Sequence, residues 1–457
     1  MVAHVAYLGS LIILMMACFI LCERTHAGIP DKSPPELYLL YKEALQHDPE
    51  IAAAKAARDA GKEAMPQARA GLLPQLSVAA EQEWFKRRTG GIEGLAPEQR
   101  DDYSRQVISA NLSQPVFDLE AWYRYRTGQS RFVAAGAEFL IARQALGQRL
   151  IDAYFRALRQ QSMLAARKAE LDALIRQRER LDKQLNVGLV SKVDLLEVMA
   201  EESRVTVELV KTRQGHREAL KDLESMSGIV IDRVATLSSI PPRFLDVGLE
   251  DLLVKARSSS PRLILARQRV VTAKHALAEA NAAHGPVVSL EMFANRELSD
   301  SPDAVPRGAG KLEADTAGVA LRLDIPIYAG GRVNSRGRER RSQLTQAEEE
   351  FRLERTRVIN ELESGFDALH SAEQSVSAAR QAVRAQKLAL SAAEKGLKAG
   401  VRDVVDVLRA RRESFRAVDV LNDARYELIN ILVRIYRLTG QLDADRIRRI
   451  NQWLDPS

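Results

Sequence analysis

Apolar positions along the chain follow two different periods, and the switch between them sets its organisation. In 75–84, Leu76, Val78, Ala80 and Trp84 alternate with Gln75, Ser77, Glu81 and Glu83. In 106–114, Ile108, Ala110 and Leu112 alternate with Val107, Ser109, Asn111 and Ser113. A period of two sustained for about ten residues predicts a strand with one apolar and one polar face. The pattern returns later. Val288, Leu290, Met292 and Ala294 form one set, and Val319, Leu321, Leu323 and Ile325 form another against Ala320, Arg322 and Asp324. The stretches 87–102 and 297–315 are rich in glycine, proline and charge, which predicts loops. Two hairpins follow, about 75–114 and about 287–327, each with a long polar tip.

Elsewhere the period is helical. Leu37 to Gln46 and Asp251 to Arg257 read as short helices, and 49–70 and 261–284 as longer ones. From Asp118 to Leu185 no proline occurs, which predicts one helix on the order of 100 Å long at ~1.5 Å per residue. Leu164, Leu171 and Leu185 keep heptad spacing, and Leu174 and Leu181 form a second row, the pattern of a coiled-coil seam. A matching helix runs from about Arg332 to Leu397. Return helices are expected over 192–226 and 403–439.

The chain is written twice. Gln114-Pro115-Val116-Phe117 aligns with Ile325-Pro326-Ile327-Tyr328 at an offset of 211 residues, and Phe155-Arg156-Ala157-Leu158 aligns with Phe366-Asp367-Ala368-Leu369 at the same offset. The segments 186–196 and 398–408 align at 212, pairing Gly188 with Gly400 and Asp194 with Asp406. Pro49 and Pro261, also 212 apart, each open an alanine-rich helix. Chance similarity between helices would not hold register for so long. The expected units are residues 1–27, a first repeat over 28–248 with its coiled coil at about 118–226, and a second repeat over 249–457 with its coiled coil at about 332–440.

Val5 to Cys22 carry no charge and precede Thr25-His26-Ala27, a small-x-small cleavage pattern. This reads as a secretory signal peptide cut after Ala27. The segment before the apolar run has no lysine or arginine, so a retained membrane anchor is the alternative. Cys18 and Cys22 are the only cysteines, and cleavage would leave none for disulfides. The 457 residues hold 67 Lys and Arg against 61 Asp and Glu, with only 5% aromatic residues. That balance suits long solvated helices, and no nucleic-acid partner is expected. After residue 27 no apolar run approaches the ~20 residues of a membrane helix, which excludes a polytopic inner-membrane protein.

Four half-apolar strands cannot close a barrel alone, because the smallest membrane barrels need about 8 strands. Their length nevertheless suits a spanning strand of roughly 9–11 residues, and open edges cannot sit in lipid. Other copies must complete them, and three copies would give twelve strands. Leu76, Val78, Leu290, Leu321 and Leu323 are then expected to face lipid. The competing reading is a periplasmic coiled-coil adaptor or structural protein without a pore.

At this point the residues carry a resemblance. The order helix, hairpin, long helix, break and return helix, written twice, resembles the TolC-type outer-membrane efflux proteins. Pro326-Ile327-Tyr328-Ala329-Gly330-Gly331 is similar to that family's turn from strand into helix, with Pro115 in the first-half counterpart. The segments 398–415 and 423–443 resemble its second helix tip and return helix. The resemblance covers essentially residues 36–443. It implies a mainly helical fold with a small β part: a homotrimer with a twelve-stranded outer-membrane barrel and a periplasmic helical tunnel. It further implies a duct rather than an enzyme, without cofactor or metal. Its partners would be outer-membrane lipid, a periplasmic adaptor and an inner-membrane transporter, in efflux or type I secretion from a Gram-negative cell.

By the same resemblance, the breaks at Gly188, Leu189, Val190 and Ser191 and at Gly400 and Val401 are the adaptor-contacting tips. Asp194 and Arg402 match family residues that hold the inner end shut. The family's tyrosine beside them is Leu397 here. Asp406 matches an acid lining the constriction, while the acid one turn on is replaced by Arg409. The residues offer no competing chemistry. The seven histidines form no HExxH and no close pair on a helix. Gly308-Ala309-Gly310-Lys311 lacks the earlier glycine and the following hydroxyl residue of a phosphate loop and is read as a loop tip.

Overall fold

The computed structural model describes residues 36–91, 99–187, 190–238, 248–301, 303 and 311–455; the segment expected to be a signal peptide lies outside them, as do Gly308 to Gly310. The first half contains α1 (Leu37–His47), α2 (Pro49–Lys62), α3 (Ala64–Ala70), β1 (Gln75–Thr89), β2 (Gln99–Asp118), α4 (Leu119–Asn186) and α5 (Lys192–Ser227). After β3 (Thr236–Leu237) the order repeats: α6 (Leu249–Ser259), α7 (Pro261–Ala282), β4 (Val287–Ser299), β5 (Leu312–Asp324), α8 (Arg332–Lys398) and α9 (Val404–Leu438). Then α10 (Ala444–Asn451) leads to β6 (Leu454–Asp455), which pairs with β3.

Two expectations need correcting. The helix expected over 49–70 divides at Glu63. Pro66 has no N–H for the preceding turn, and its ring crowds the carbonyl four residues back. The hairpin tips are also shorter than the polar composition implied, since β1 runs on to Thr89 and β4 to Ser299. Charge does not break these strands because it is matched across them. Lys86 faces Asp102, and Arg87 faces Asp101 with an ion pair at 3.5 Å. Opposite charges directly across a ladder stabilise it.

The main sheet has the order β1-β2-β4-β5, antiparallel throughout. Its register lines up the apolar residues in rows: Leu76, Leu112, Met292 and Val319; then Val78, Ala110, Ala294 and Ala317. Towards the helices come Leu290 with Leu321, and Phe117 with Val288 and Leu323. Leu76, Val78, Leu321 and Leu323 are 70%, 71%, 70% and 60% exposed, so this face is largely apolar and uncovered within one chain, with Gln114 opposite Leu290 as a polar member. From Ala317 to Leu323 it spans about 20 Å at ~3.3 Å per residue.

The opposite face is polar. Arg105 pairs with Glu297 at 2.7 Å and with Glu83 at 3.5 Å, and Arg322 pairs with Glu291 at 3.3 Å. Gly318 is required there, because a Cβ would meet the Phe293 ring at 2.6 Å.

The two strand-to-helix junctions differ. In the first, β2 runs through Pro115 with a bulge between Pro115 and Phe117. Asp118 then caps α4, accepting from the Ala121 N–H at 2.8 Å. The bulge lets a residue without an N–H sit in the ladder. In the second, β5 ends at Asp324, residues 325–329 have no regular structure, and Gly330 and Gly331 turn the chain with φ of +61° and +79°.

The largest core lies at mid-length of the long helices. Leu150, Ile151, Tyr154, Phe155 and Leu158 of α4 are buried against α1, α5, α6, α9 and α10. The Tyr154 hydroxyl accepts from the Ala235 N–H at 3.0 Å and ties in the inter-repeat segment. Further along, Leu174 and Leu181 form the buried seam, with Val198 and Val205 of α5 and Val404 and Leu408 of α9. Leu164, Leu171 and Leu185 flank that seam half-buried. Among the described residues no helix is long and apolar enough to cross a membrane.

Gly440 turns α9 towards α10 with φ of +76°, and a Cβ there would lie 2.2 Å from the Ser259 carbonyl oxygen. Gly440→Ala is therefore expected to destabilise the mid-length core by about 2 kcal/mol or more. Thermal unfolding checks this: a melting temperature within a degree of the parent would refute it.

Candidate channel lumen and gate

The far ends of the long helices are built from caps. The Ser191 hydroxyl accepts from the N–H groups of Val193 (3.1 Å) and Asp194 (3.2 Å), and the Asp194 carboxylate accepts from the Ser191 N–H at 3.1 Å. This reciprocal capping box satisfies donors that a helix start leaves unpaired. On the second tip, Gly400 has φ of +74°, and the Val401 N–H donates to the Gly396 carbonyl at 3.0 Å. Asp403 then caps α9 through the Asp406 N–H at 2.7 Å.

Arg402 lies 3.9 Å from Asp406, and its stem folds back over Gly396. The structure therefore brings Arg402 and Asp406 together, whereas within one chain Asp194 is engaged with its own helix start. Arg409 is exposed and has no ion-pair partner among the described residues. Leu397 packs with Val190, Leu171 and Leu195 against the apolar cluster of α4, α5 and α9. Val187, Val193, Leu196 and Val401 remain exposed at this end. Gly188 and Leu189 lie outside the described residues.

Sequence reasoning missed the ion pairs that join the two coils. Arg159 pairs with Asp423 at 2.7 Å, Arg167 with Asp419 at 3.4 Å, and Arg412 with Glu201 at 3.2 Å. Each joins α9 to the α4–α5 coil. Arg167 also holds Glu170 at 2.6 Å and Glu208 at 3.3 Å, and Arg204 grips Glu201 and Glu208. The signal was available: Arg412 and Asp419 stand seven apart, so they share a heptad position on α9. The Arg204 guanidinium beside Glu201 holds that carboxyl below the usual carboxylate range, with Arg412 adding to the effect. Burial pushes the Asp419 carboxyl up, and Arg167 opposes the rise.

The arrangement is thus a sheet with one apolar face and one polar face, attached to long coils whose far ends carry capped, charged turns. No cluster of potential metal ligands occurs among the described residues. The sequence pattern of the outer membrane efflux protein family matches residues 40–229 and again residues 252–441. The chain belongs to that family. It is 28% identical over 435 residues to the outer membrane protein TolC of Escherichia coli, covering 92% of this chain and 85% of that one. It is 25% identical over 410 residues to the alkaline protease secretion protein AprF of Pseudomonas aeruginosa, covering 88% and 84%. The crystal structure of the outer membrane protein VceC from Vibrio cholerae shares the fold, with a TM-score of 0.73 at 20% identity over 88% of this chain and 96% of that one. The protein is an exit duct at the outer membrane, and its relatives are components of efflux and secretion systems.

Because the folded-state pKa of Glu201 is lowered, its pairing stabilises the coils at neutral pH. That contribution disappears as pH falls through the lowered pKa. Glu201→Gln should cost about 1 kcal/mol at pH 7. The gap from the parent should close below about pH 4. Melting curves of both proteins from pH 7 to pH 3 check this, and a gap that widens on acidification would contradict it.

Proposed function

We propose that three copies of the chain close a twelve-stranded barrel in the outer membrane, continued by a tunnel of twelve long helices through the periplasm. Cargo of efflux or type I secretion would reach it from an inner-membrane transporter through a periplasmic adaptor. The observation that carries this reading is the four-stranded sheet with a bare apolar face and unpaired outer edges on β1 and β5. Lipid tolerates such a face only when both edges are paired. A periplasmic adaptor or pore-free structural protein would leave Leu76, Val78, Leu321 and Leu323 in water. We further propose a signal peptide at 1–27 and a duplication into 28–248 and 249–457. The twofold match of the family pattern supports the duplication.

The tips at Gly188, Leu189, Val190, Ser191, Gly400 and Val401 are proposed as the adaptor's docking surface, helped by the exposed Val193 and Leu196. Asp194, Arg402, Asp406 and Arg409 are proposed to line the inner mouth, with Asp194 reaching Arg402 of a neighbouring copy when the tunnel is shut. In this reading the Arg402–Asp406 and Asp194–Ser191 contacts exchange for intersubunit ones.

The assembly is tested by native mass measurement in detergent, where a trimer is expected; a stable monomer would sink the proposal. Leu290→Lys with Leu321→Lys should abolish membrane insertion, since each lysine costs about 2–4 kcal/mol at the bilayer midplane.

The gate is tested by conductance in planar bilayers. Asp194→Asn keeps an acceptor for the cap, whereas Asp194→Ala would also lose about 1 kcal/mol of helix stability. Asp194→Asn and Arg402→Ser should each raise the resting conductance, and the double variant should raise it less than additively. Parental conductance in all three would assign closure to the apolar packing around Leu397 instead.

A further inference from the structure

The junctions that lead from β2 into α4 and from β5 into α8, at the helix end of the apolar face, repeat one arrangement. Large apolar and aromatic side chains come first. Phe117 and Trp122 are 49% and 47% exposed in the first half, and Ile327 and Tyr328 are 94% and 86% exposed in the second. Trp122 packs against Tyr125 with ring centroids 5.9 Å apart. Arginines follow within a few turns: Arg126 on α4, and Arg338 and Arg341 on α8, all exposed.

Helix geometry separates these three from their neighbours. Arg332 and Arg336 line a cleft with Val287 and Asp324, which belong to the polar face of the sheet. Arg340 and Arg124 line a second cleft below it with Glu279. At about 100° per residue, Arg338 and Arg341 lie on the opposite side of α8 from that column. Arg126 likewise lies opposite Arg124. They therefore stand on the side of the apolar face.

Arg124 is held by Glu120 at 2.8 Å and Glu279 at 3.2 Å. Arg126, Arg338 and Arg341 have no ion-pair partner among the described residues, so their guanidinium groups are open to a ligand.

Resting on the outer-membrane reading above, we infer that Arg126, Arg338 and Arg341 form a docking surface for anionic phospholipid. They take the headgroup phosphates of the leaflet that borders the helices, below the aromatic belt and in continuity with the lipid-facing rows. Two physical arguments select this partner. Aromatic side chains such as Trp122 and Tyr328 favour the headgroup level of a membrane. A guanidinium offers a planar fork that matches phosphate oxygens, and basic residues within a Debye length of an anionic surface are drawn to it.

The test uses the full-length assembled protein in mixed detergent–lipid micelles with equal phosphatidylglycerol and phosphatidylcholine, read by native mass spectrometry. The parent should retain phosphatidylglycerol over phosphatidylcholine by about tenfold. The triple variant Arg126→Gln/Arg338→Gln/Arg341→Gln should lose most of that preference. The triple Arg332→Gln/Arg336→Gln/Arg340→Gln, with the same change of charge on the other side, should keep it. Equal retention of the two lipids by the parent overturns the inference, as does an equal loss in both triples.

Channel formation in planar bilayers of the same lipids separates the two readings. A parent that inserts and conducts without lipid preference refutes only the docking surface. A parent that forms no channel in either lipid refutes the duct, and the docking surface falls with it.

Discussion

Backbone hydrogen bonding at the edges of the β1-β2-β4-β5 sheet is the constraint on which the rest of the molecule depends. Every N–H and C=O along the outer sides of β1 and β5 needs a partner, and hydrocarbon supplies none. The inner ladders are complete: β2 and β4 join the two halves directly, from Arg105 opposite Ser299 to Asp118 opposite Val287. One chain is thus a segment of wall whose internal bonding is satisfied and whose flanks are not. The apolar rows gain stability by leaving water only once those flanks are closed, so in the proposed trimer insertion and assembly are one event. The polar face, with Arg105 between Glu83 and Glu297, then lines water and keeps its ion pairs hydrated.

At the opposite end the balance of forces is different. Burying a Leu or Val side chain contributes roughly 1.5–3 kcal/mol, while an exposed or half-exposed ion pair contributes about 0–1 kcal/mol. Leu174, Leu181, Val198, Val205, Val404 and Leu408 therefore hold α9 on the α4–α5 coil. Arg412–Glu201 and Arg159–Asp423 fix which register it takes. Charged pairs are well suited to that part, because they penalise a slipped register while adding little to overall stability. Leu397 extends the apolar cluster to the tip.

Periodicity made most of this readable from the residues. The strand faces followed from strict alternation, and the register confirms that Leu76, Val78, Leu290, Leu321 and Leu323 share one face. The long helices were legible within a residue or two, because no proline interrupts them and Gly400 closes one of them. Polarity misled at the hairpin tips: composition marked 87–102 as loop, but cross-strand matching of Lys86 with Asp102 and Arg87 with Asp101 is invisible until the register is known. The tip residues were found by resemblance, yet the capping partnership of Asp194 with Ser191 was open to direct reading, since a hydroxyl residue three before an acid is the usual start of a helix. The inter-coil pairs were missed because heptad spacing was sought among apolar residues only.

The duplication also shows where the halves have parted. Between β2 and α4 there is no linker: the ladder runs to Asp118, and the same residue caps the helix. Changing the angle there would break ladder bonds and a cap together. Between β5 and α8 lie five residues without regular structure and two left-handed glycines. Glycine populates both signs of φ at little steric cost, so the same change of angle is absorbed at Gly330 and Gly331 without loss of a ladder bond. The first-half coil is thereby fixed to the membrane wall. The second-half coil is held mainly by its own packing on α4 and α5 and by the ion pairs of α9. Two diverged copies of one repeat thus supply one rigid junction and one that absorbs a change of angle.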